Sequence, residues 1–365
     1  MNKEHLMYSA RARFEAARRI AGRLDGHRQK NLHGHSFQAR VRAALPPGWA
    51  SFQGAESDEL EMALKERVQP LDYRFLNEQI TDPTDENIAR WVRDGMSVSD
   101  LDKVGISSTN NRGTDIDAKG QIHCWRRYRF EAAHSLPNVP EGHKCGRMHG
   151  HGFVVILHHQ NRGEDKNIGE NIDLIDRCWQ PLFDQLDHAC LNDIPGLENP
   201  TSELIAGWLW HQLKTTLTGL SWVTVLETAS SGCCYDGANY RIWKASTLDS
   251  AVRLENAPEG DTRRRIHGHT FTIRLHLSAP LDQVMGWVVD FGDVKERFKP
   301  VFNRLDHRPL YEVPGLKDCS LASLARWTRQ EIGDSLPELD RIDLEQTPGC
   351  GVTLAWGALD PALPI

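Results

Sequence analysis

His-Gly-His occurs three times in this chain, at His33-Gly34-His35, His149-Gly150-His151 and His267-Gly268-His269. Two histidines one residue apart on an extended segment put both imidazoles on one face, and the glycine between them leaves the backbone uncrowded. Such a pair by itself is more often an ordinary strand feature; a third ligand beside it, and the repetition of the motif, turn the reading to a metal site. In the middle occurrence a third nitrogen is at hand, because His134 ends the preceding predicted strand and can reach the pair across an antiparallel hairpin. Three histidines with an open fourth position is the arrangement of a catalytic zinc, which acidifies a bound hydroxyl or polarises a carbonyl. Cys145 stands four residues before His149. A thiolate near a cation forms easily and serves as base or nucleophile; the alternative for Cys145 is a buried structural cysteine, the reading that suits the other seven. Asp187-His188 sets a carboxylate beside an imidazole that titrates near neutral pH. Glu227 falls on the same strand face as Val223 and Val225. There it is either a buried acid that needs a donor pair, such as a guanidine-like ring edge, or an exposed acid at a strand end.

The outer occurrences are incomplete. At the position of His134 the first carries Arg18 and the third, by this reading, Thr247. Cys145 is matched by Gln29 and Arg263, and an arginine, always protonated, is no zinc ligand. One Zn2+ per chain is therefore expected, on His134, His149 and His151. Asp187-His188 recurs as Asp306-His307 but as Asp72-Tyr73 in the first copy; Glu227 is matched to Glu345 and Ser108. Either Asp306, His307 and Glu345 are lent to the middle site, or the third copy has drifted less.

These groups need a scaffold that repeats. The His-Gly-His triplets are 116 and 118 residues apart, and Leu-Asp and Ala-x-Trp markers keep nearly the same period, so the chain holds three copies of one unit. In the middle copy Tyr128, Phe130, Ala132 and His134 alternate on one strand face. A second strand spans Phe153–Leu157. Leu174, Ile175, Cys178, Trp179, Leu182, Phe183 and Leu186 form a helical stripe, interrupted by Pro181 where a kink is expected. Asn199-Pro200-Thr201-Ser202-Glu203 reads as a capped helix start, and strands follow near Val223–Thr228 and Gly232–Tyr235. Each unit is thus ββααββ, an α+β domain with an antiparallel sheet: residues 1–120, 121–236 (the complete copy) and 237–365. Ala118-Lys119-Gly120 and Asp236-Gly237 are tight junctions, so the last strand of one copy should lie beside the first of the next.

Composition is that of an ordinary soluble globular protein and argues against disorder. The chain has 365 residues, 39% apolar and 25% charged, with a net charge of −7; this excludes a nucleic-acid coat and an anionic-membrane binder. No apolar run reaches membrane-spanning length, and the charged N-terminus is not a secretory signal. Eight cysteines without a CxxC point to a reduced, cytoplasmic protein.

The middle copy resembles the 6-pyruvoyltetrahydropterin synthase family, in its queuosine-pathway branch of 6-carboxytetrahydropterin synthases. The resemblance rests on Phe130-Glu131-Ala132-Ala133-His134, the run His143-Lys144-Cys145-Gly146-Arg147-Met148-His149-Gly150-His151, Leu186-Asp187-His188, Asp193 to Glu203, and Leu226-Glu227-Thr228. It implies the tunnelling fold, in which three ββααββ units close a β-barrel and two rings stack; here that means a homodimer of pseudo-trimeric chains. It implies zinc on the side-chain hydroxyls of 7,8-dihydroneopterin triphosphate, Cys145 as base, Asp187-His188 as proton shuttle and Glu227 on the pterin edge. The products would be 6-carboxy-5,6,7,8-tetrahydropterin, acetaldehyde and triphosphate. A pyruvoyl-forming enzyme on a related pterin and a non-catalytic pterin binder are the alternatives.

Overall fold

Alternation of apolar and polar residues makes each copy open on two long strands, one face of which is buried by helices. The computed structural model describes residues 3–20, 28–161, 168–316 and 318–361; the outer limits set at residues 1 and 365 lie outside these. The first copy holds β1 (His5–Arg18), β2 (His33–Ala44), α1 (Glu56–Val68), β3 (Arg74–Phe75), α2 (Asp85–Asp94), β4 (Asp100–Thr109) and β5 (Arg112–Asp117). The middle copy repeats the order as β6 (Ile122–His134), β7 (His149–Gln160), α3 (Ile168–Leu186), β8 (Ala189–Cys190), α4 (Ser202–Leu213), β9 (Leu220–Thr228) and β10 (Ser231–Tyr235). The third has β11 (Tyr240–Val252), β12 (His267–Ser278), α5 (Phe291–Leu305), α6 (Leu321–Ile332), β13 (Leu339–Thr347) and β14 (Cys350–Ala355).

All copies share one sheet, antiparallel except for the two-residue strands β3 and β8, which pair in parallel. β5 pairs with β6, β10 with β11, and β14 returns to β1 with His5 opposite Ala355, so the sheet closes into a barrel without long free edges. Each inner junction turns on a glycine in the left-handed region, Gly120 at φ +79° and Gly237 at φ +95°, where a β-carbon would be strained. The helices cover the outer face. In the middle copy Phe130 stacks on Phe153 at 5.1 Å, and Trp179 of α3 closes over them. Full burial of each such side chain contributes about 1.5–3 kcal/mol, and this layer backs the metal-type histidines. α3 runs through Pro181 as one helix, as α5 does through Pro300.

Candidate metal centre and active site

The β6–β7 hairpin puts His134 directly opposite His149. Ring centroids of His134, His149 and His151 lie 4.5, 5.2 and 5.0 Å apart pairwise. His134 Nδ1 is 3.0 Å from the Pro200 carbonyl and His149 Nδ1 is 2.7 Å from that of Arg147. A ring whose Nδ1 donates to a carbonyl presents Nε2 as a lone pair, the usual outer support of a metal-binding histidine. His134 Nε2 and His151 Nε2 are buried and have no hydrogen-bond partner. Buried orphan acceptors that converge are costly without an ion. Glu227 joins them, with Oε1 3.3 Å from His151 Nε2, and one ligand atom from each of the four side chains falls within a 4.8 Å cluster. Burial, partly offset by the Pro200 carbonyl and Glu227, holds His134 below the usual histidine range. Burial pushes Glu227 up, but His151, His134 and His149 outweigh it and keep the acid ionised. Three imidazoles beside a carboxylate are a donor set that suits Zn2+.

The outer copies keep the His-x-His geometry and fill the third position otherwise. His33 Nδ1 and His267 Nδ1 each sit 2.8 Å from a carbonyl two residues back, of Asn31 and Arg265. Arg18, paired across from His33, is buried and reaches Asp85 at 2.7 Å, while Asp85 also accepts from Ser108 Oγ at 2.8 Å. A guanidinium thus takes the space a metal would need. In the third copy the residue opposite His267 is Val252, not Thr247, which pairs with Thr272; an isopropyl group ligates nothing. Glu345 likewise is not the counterpart of Glu227. β9 and β13 align through their closing threonines, Thr228 and Thr347, which matches Glu227 with Gln346. One residue along a strand changes the face: Glu345 turns to Arg274 at 2.6 Å and the Gly349 N–H at 3.0 Å, whereas Gln346 reaches Asp58.

Cys145 lies half-buried in a single helical turn, Lys144–Gly146, where its N–H donates to His143 Nδ1 at 3.2 Å. Burial pushes its thiol up, Glu227 and Asp290 add to this, and Lys144 opposes. Gln29 and Arg263 occupy the same turn in the other copies.

The aspartate–histidine pairs are set apart from their own metal positions. Asp187 accepts from the Glu131 N–H at 2.9 Å and from His188 Nδ1 at 2.8 Å. β8 follows on the edge of β6 opposite β7, the edge that farther along pairs with β5 of the first copy. His188 is 79% exposed there, and among the described residues it is not in the metal-type cluster. Asp306-His307 repeats the arrangement on β11, with Asp306 accepting from the Asp249 N–H at 2.9 Å and from His307 Nδ1 at 2.9 Å. The bridge from Ala251 to Pro309 lies on the β10 side of β11, so this pair borders the middle copy. Asp306 raises His307 above the usual histidine range.

One acidic group has a role that sequence reasoning missed. Glu203, read above only as part of a helix start, is 2% exposed. Burial pushes it up to about 7 and the charge of Glu227 adds to that, while the Val288 N–H of the third copy donates to it at 2.9 Å. Its counterparts are Glu86, which pairs with Arg90 on the surface, and Ala322. The segment around Val288 walls the middle site: Thr201 Oγ1 donates to the Gly286 carbonyl at 2.5 Å, Asn199 Nδ2 to that of Met285 at 2.8 Å, and His143 Nε2 lies 3.6 Å from Asp290. A chain folded back from the next copy leaves no local signal, so only the repeat's closure could have suggested it.

The family described as "6-pyruvoyl tetrahydropterin synthase" matches this chain three times, over residues 8–117, 123–238 and 241–355. A protein of Synechocystis named "6-carboxy-5,6,7,8-tetrahydropterin synthase" is 39% identical over 118 residues, 30% of this chain and 90% of its own length. A Pyrococcus furiosus protein named "Dihydroneopterin monophosphate aldolase" is 29% identical over 121 residues, 32% of this chain and 97% of its own. Among solved structures, the Caenorhabditis elegans 6-pyruvoyl tetrahydropterin synthase aligns at 18% identity and a TM-score of 0.30, over 32% of this chain and 95% of that one.

Proposed function

Since this chain belongs to the 6-pyruvoyl tetrahydropterin synthase family, with three copies of the unit in one polypeptide, we propose that its middle copy is a zinc-dependent 6-carboxytetrahydropterin synthase. It would convert 7,8-dihydroneopterin triphosphate and one water to 6-carboxy-5,6,7,8-tetrahydropterin, acetaldehyde and triphosphate, a step toward queuosine, in the cytoplasm. No helix among the described residues is long and apolar enough to cross a membrane. The observation that carries the reading is the cluster of three converging imidazoles and Glu227, which only the middle copy assembles among the described residues.

His134, His149 and His151 would hold the metal, with Glu227 beside them. When bound, Zn2+ supplies Lewis acidity to the substrate's side-chain hydroxyls. Cys145 takes a proton from the side chain. Its thiol is held protonated by burial and by Glu227, so a partner base is needed. The pair that borders this site along the sheet is Asp306-His307 of the third copy, while Asp187-His188 borders the first copy, where Arg18 blocks chemistry; we therefore assign the shuttle to His307 rather than His188. The edge of the pterin falls to Glu203 rather than Glu227. Glu203 is buried with one oxygen on the Val288 N–H, and an ionised carboxylate there can accept two parallel N–H donors.

The relative named for a monophosphate aldolase favours a second reading, the same site cleaving a different pterin phosphate. Incubating the zinc-loaded protein with dihydroneopterin triphosphate and reading the products by mass separates the two. Acetaldehyde, triphosphate and the 6-carboxy pterin support the synthase; a 6-hydroxymethyl pterin with a phosphorylated two-carbon aldehyde supports the second reading, and that pair, a pterin that keeps its full side chain, or an unchanged substrate refutes the synthase.

A further inference from the structure

The seams between copies are built alike, but their charges differ. Arg126 on β6 faces Leu157 across its hairpin, and Lys244 on β11 faces Leu275 in the same register. Counted back from the leucines that close α3 and α5, Asp176 and Lys295 also share one position. At the seam of the first and middle copies Arg126 grips Asp176 through two bonds of 2.6 and 3.0 Å, and the Tyr128 hydroxyl adds a third at 2.6 Å. At the seam of the middle and third copies, which carries the metal-type cluster, both positions are lysine. The remaining seam has Ala10 and Glu61 there.

Lys244 is half-buried. Its Nζ donates to Ser230 Oγ at 3.1 Å, in the turn just beyond Glu227, and lies 6.0 Å from the Phe291 ring at the start of α5. Lys295 stands one turn farther along that helix, and Lys144 adjoins Cys145 from the other side of the seam. None of the three has a carboxylate within 4.0 Å among the described residues. Burial depresses the Lys244 ammonium, Lys295 and Lys144 depress it further, and the charge of Glu227 only partly offsets them. Two cations placed where a sister seam has an ion pair repel each other, and an anion between them reverses the sign.

We propose that Lys244, Lys295 and Lys144 form a polyphosphate-binding site at this seam, and that it receives the triphosphate of the substrate. The identity of the substrate rests on the function proposed above; the anion site does not. Lysines suit it as point charges on rotatable stems.

Inorganic triphosphate is the probe, with binding followed by calorimetry on the whole protein. Lys295→Asp should fold normally, because it recreates the acid of the sister seam, and should bind triphosphate about tenfold or more weakly. Lys244→Gln should lose a similar factor. Lys299→Gln, on the same helix but paired with Glu296, should bind as the parent does. In turnover, Lys244→Gln should raise KM for the triphosphate substrate with kcat little changed. Undiminished triphosphate binding in Lys295→Asp and Lys244→Gln, or none by the parent, overturns the proposal. Lysine-dependent triphosphate binding without turnover sustains the anion site and removes the synthase reading.

Discussion

Arg18, His134 and Val252 occupy one position in the three copies, and each does something different with the space behind His-Gly-His. Arg18 is buried against Asp85, itself 8% exposed. Removing one partner of a buried pair leaves an uncompensated charge, which costs about 3–5 kcal/mol. Arg18→Leu should therefore lower the denaturant midpoint sharply while metal content stays as in the parent. Glu203 offers a pH test. Its folded-state value of about 7 lies above the ordinary 4.5, so the folded protein binds the extra proton between those values. Stability contributed by this group is present below pH 4.5 and lost as pH rises to about 7, by roughly 3 kcal/mol. Pterin binding should run the other way and strengthen as pH rises through 7, since the carboxylate is the acceptor. Glu203→Gln should flatten the stability trend, read from unfolding midpoints across that range. The histidine triplets were legible because a one-residue spacing has only one geometric meaning on a strand. Val252 and Gln346 are not legible in the same way, because register depends on the hairpin: Thr247 and Glu345 look more like functional groups, yet strand pairing places them elsewhere.

Helices, strands and seams decide which side chains share a site. The stripe from Leu174 to Leu186 and the Thr201 cap could be read from period and capping chemistry, and both stand in α3 and α4, where Thr201 accepts from the Leu204 N–H at 3.1 Å. What the stripe could not say is on which edge of β6 its trailing Asp187-His188 would land. That depends on the two-residue strand β8, pairing in parallel with Ala132 and Ala133, too short to leave a pattern of its own. The proposed function then implies a division of labour across the seam: the middle copy would supply metal ligands and thiol, and the third would supply the acid–base pair beside the wall it builds around Val288. His307→Ala should cut turnover by about 10²–10⁴ with zinc saturating, whereas His188→Ala, on the far edge, should leave rates near the parent's. Equal rates for His307→Ala and the parent would return the shuttle to His188.

For the whole molecule, three fused units close one barrel within a single chain. The tight junctions made this readable, since a copy that cannot swing away has to lay its last strand beside its neighbour's first. The end of the chain was not readable. Arg241 donates to the carbonyls of Ala358 and Asp360 at 2.7 and 2.9 Å, and Arg42 to that of Leu359 at 3.2 Å. These contacts tie the final segment to arginines of the barrel, and they depend on closure rather than local pattern. Because one chain closes one ring, two stacked rings make a dimer of chains, and light scattering should give twice the chain mass; six chains would contradict an intramolecular ring. In the proposed enzyme one copy of three holds the metal. Elemental analysis of the purified, zinc-loaded chain tests it most directly: about one zinc per chain, lost in His134→Ala and kept in His33→Ala, is the result expected. Three zincs per chain, or one that survives His134→Ala, would contradict it.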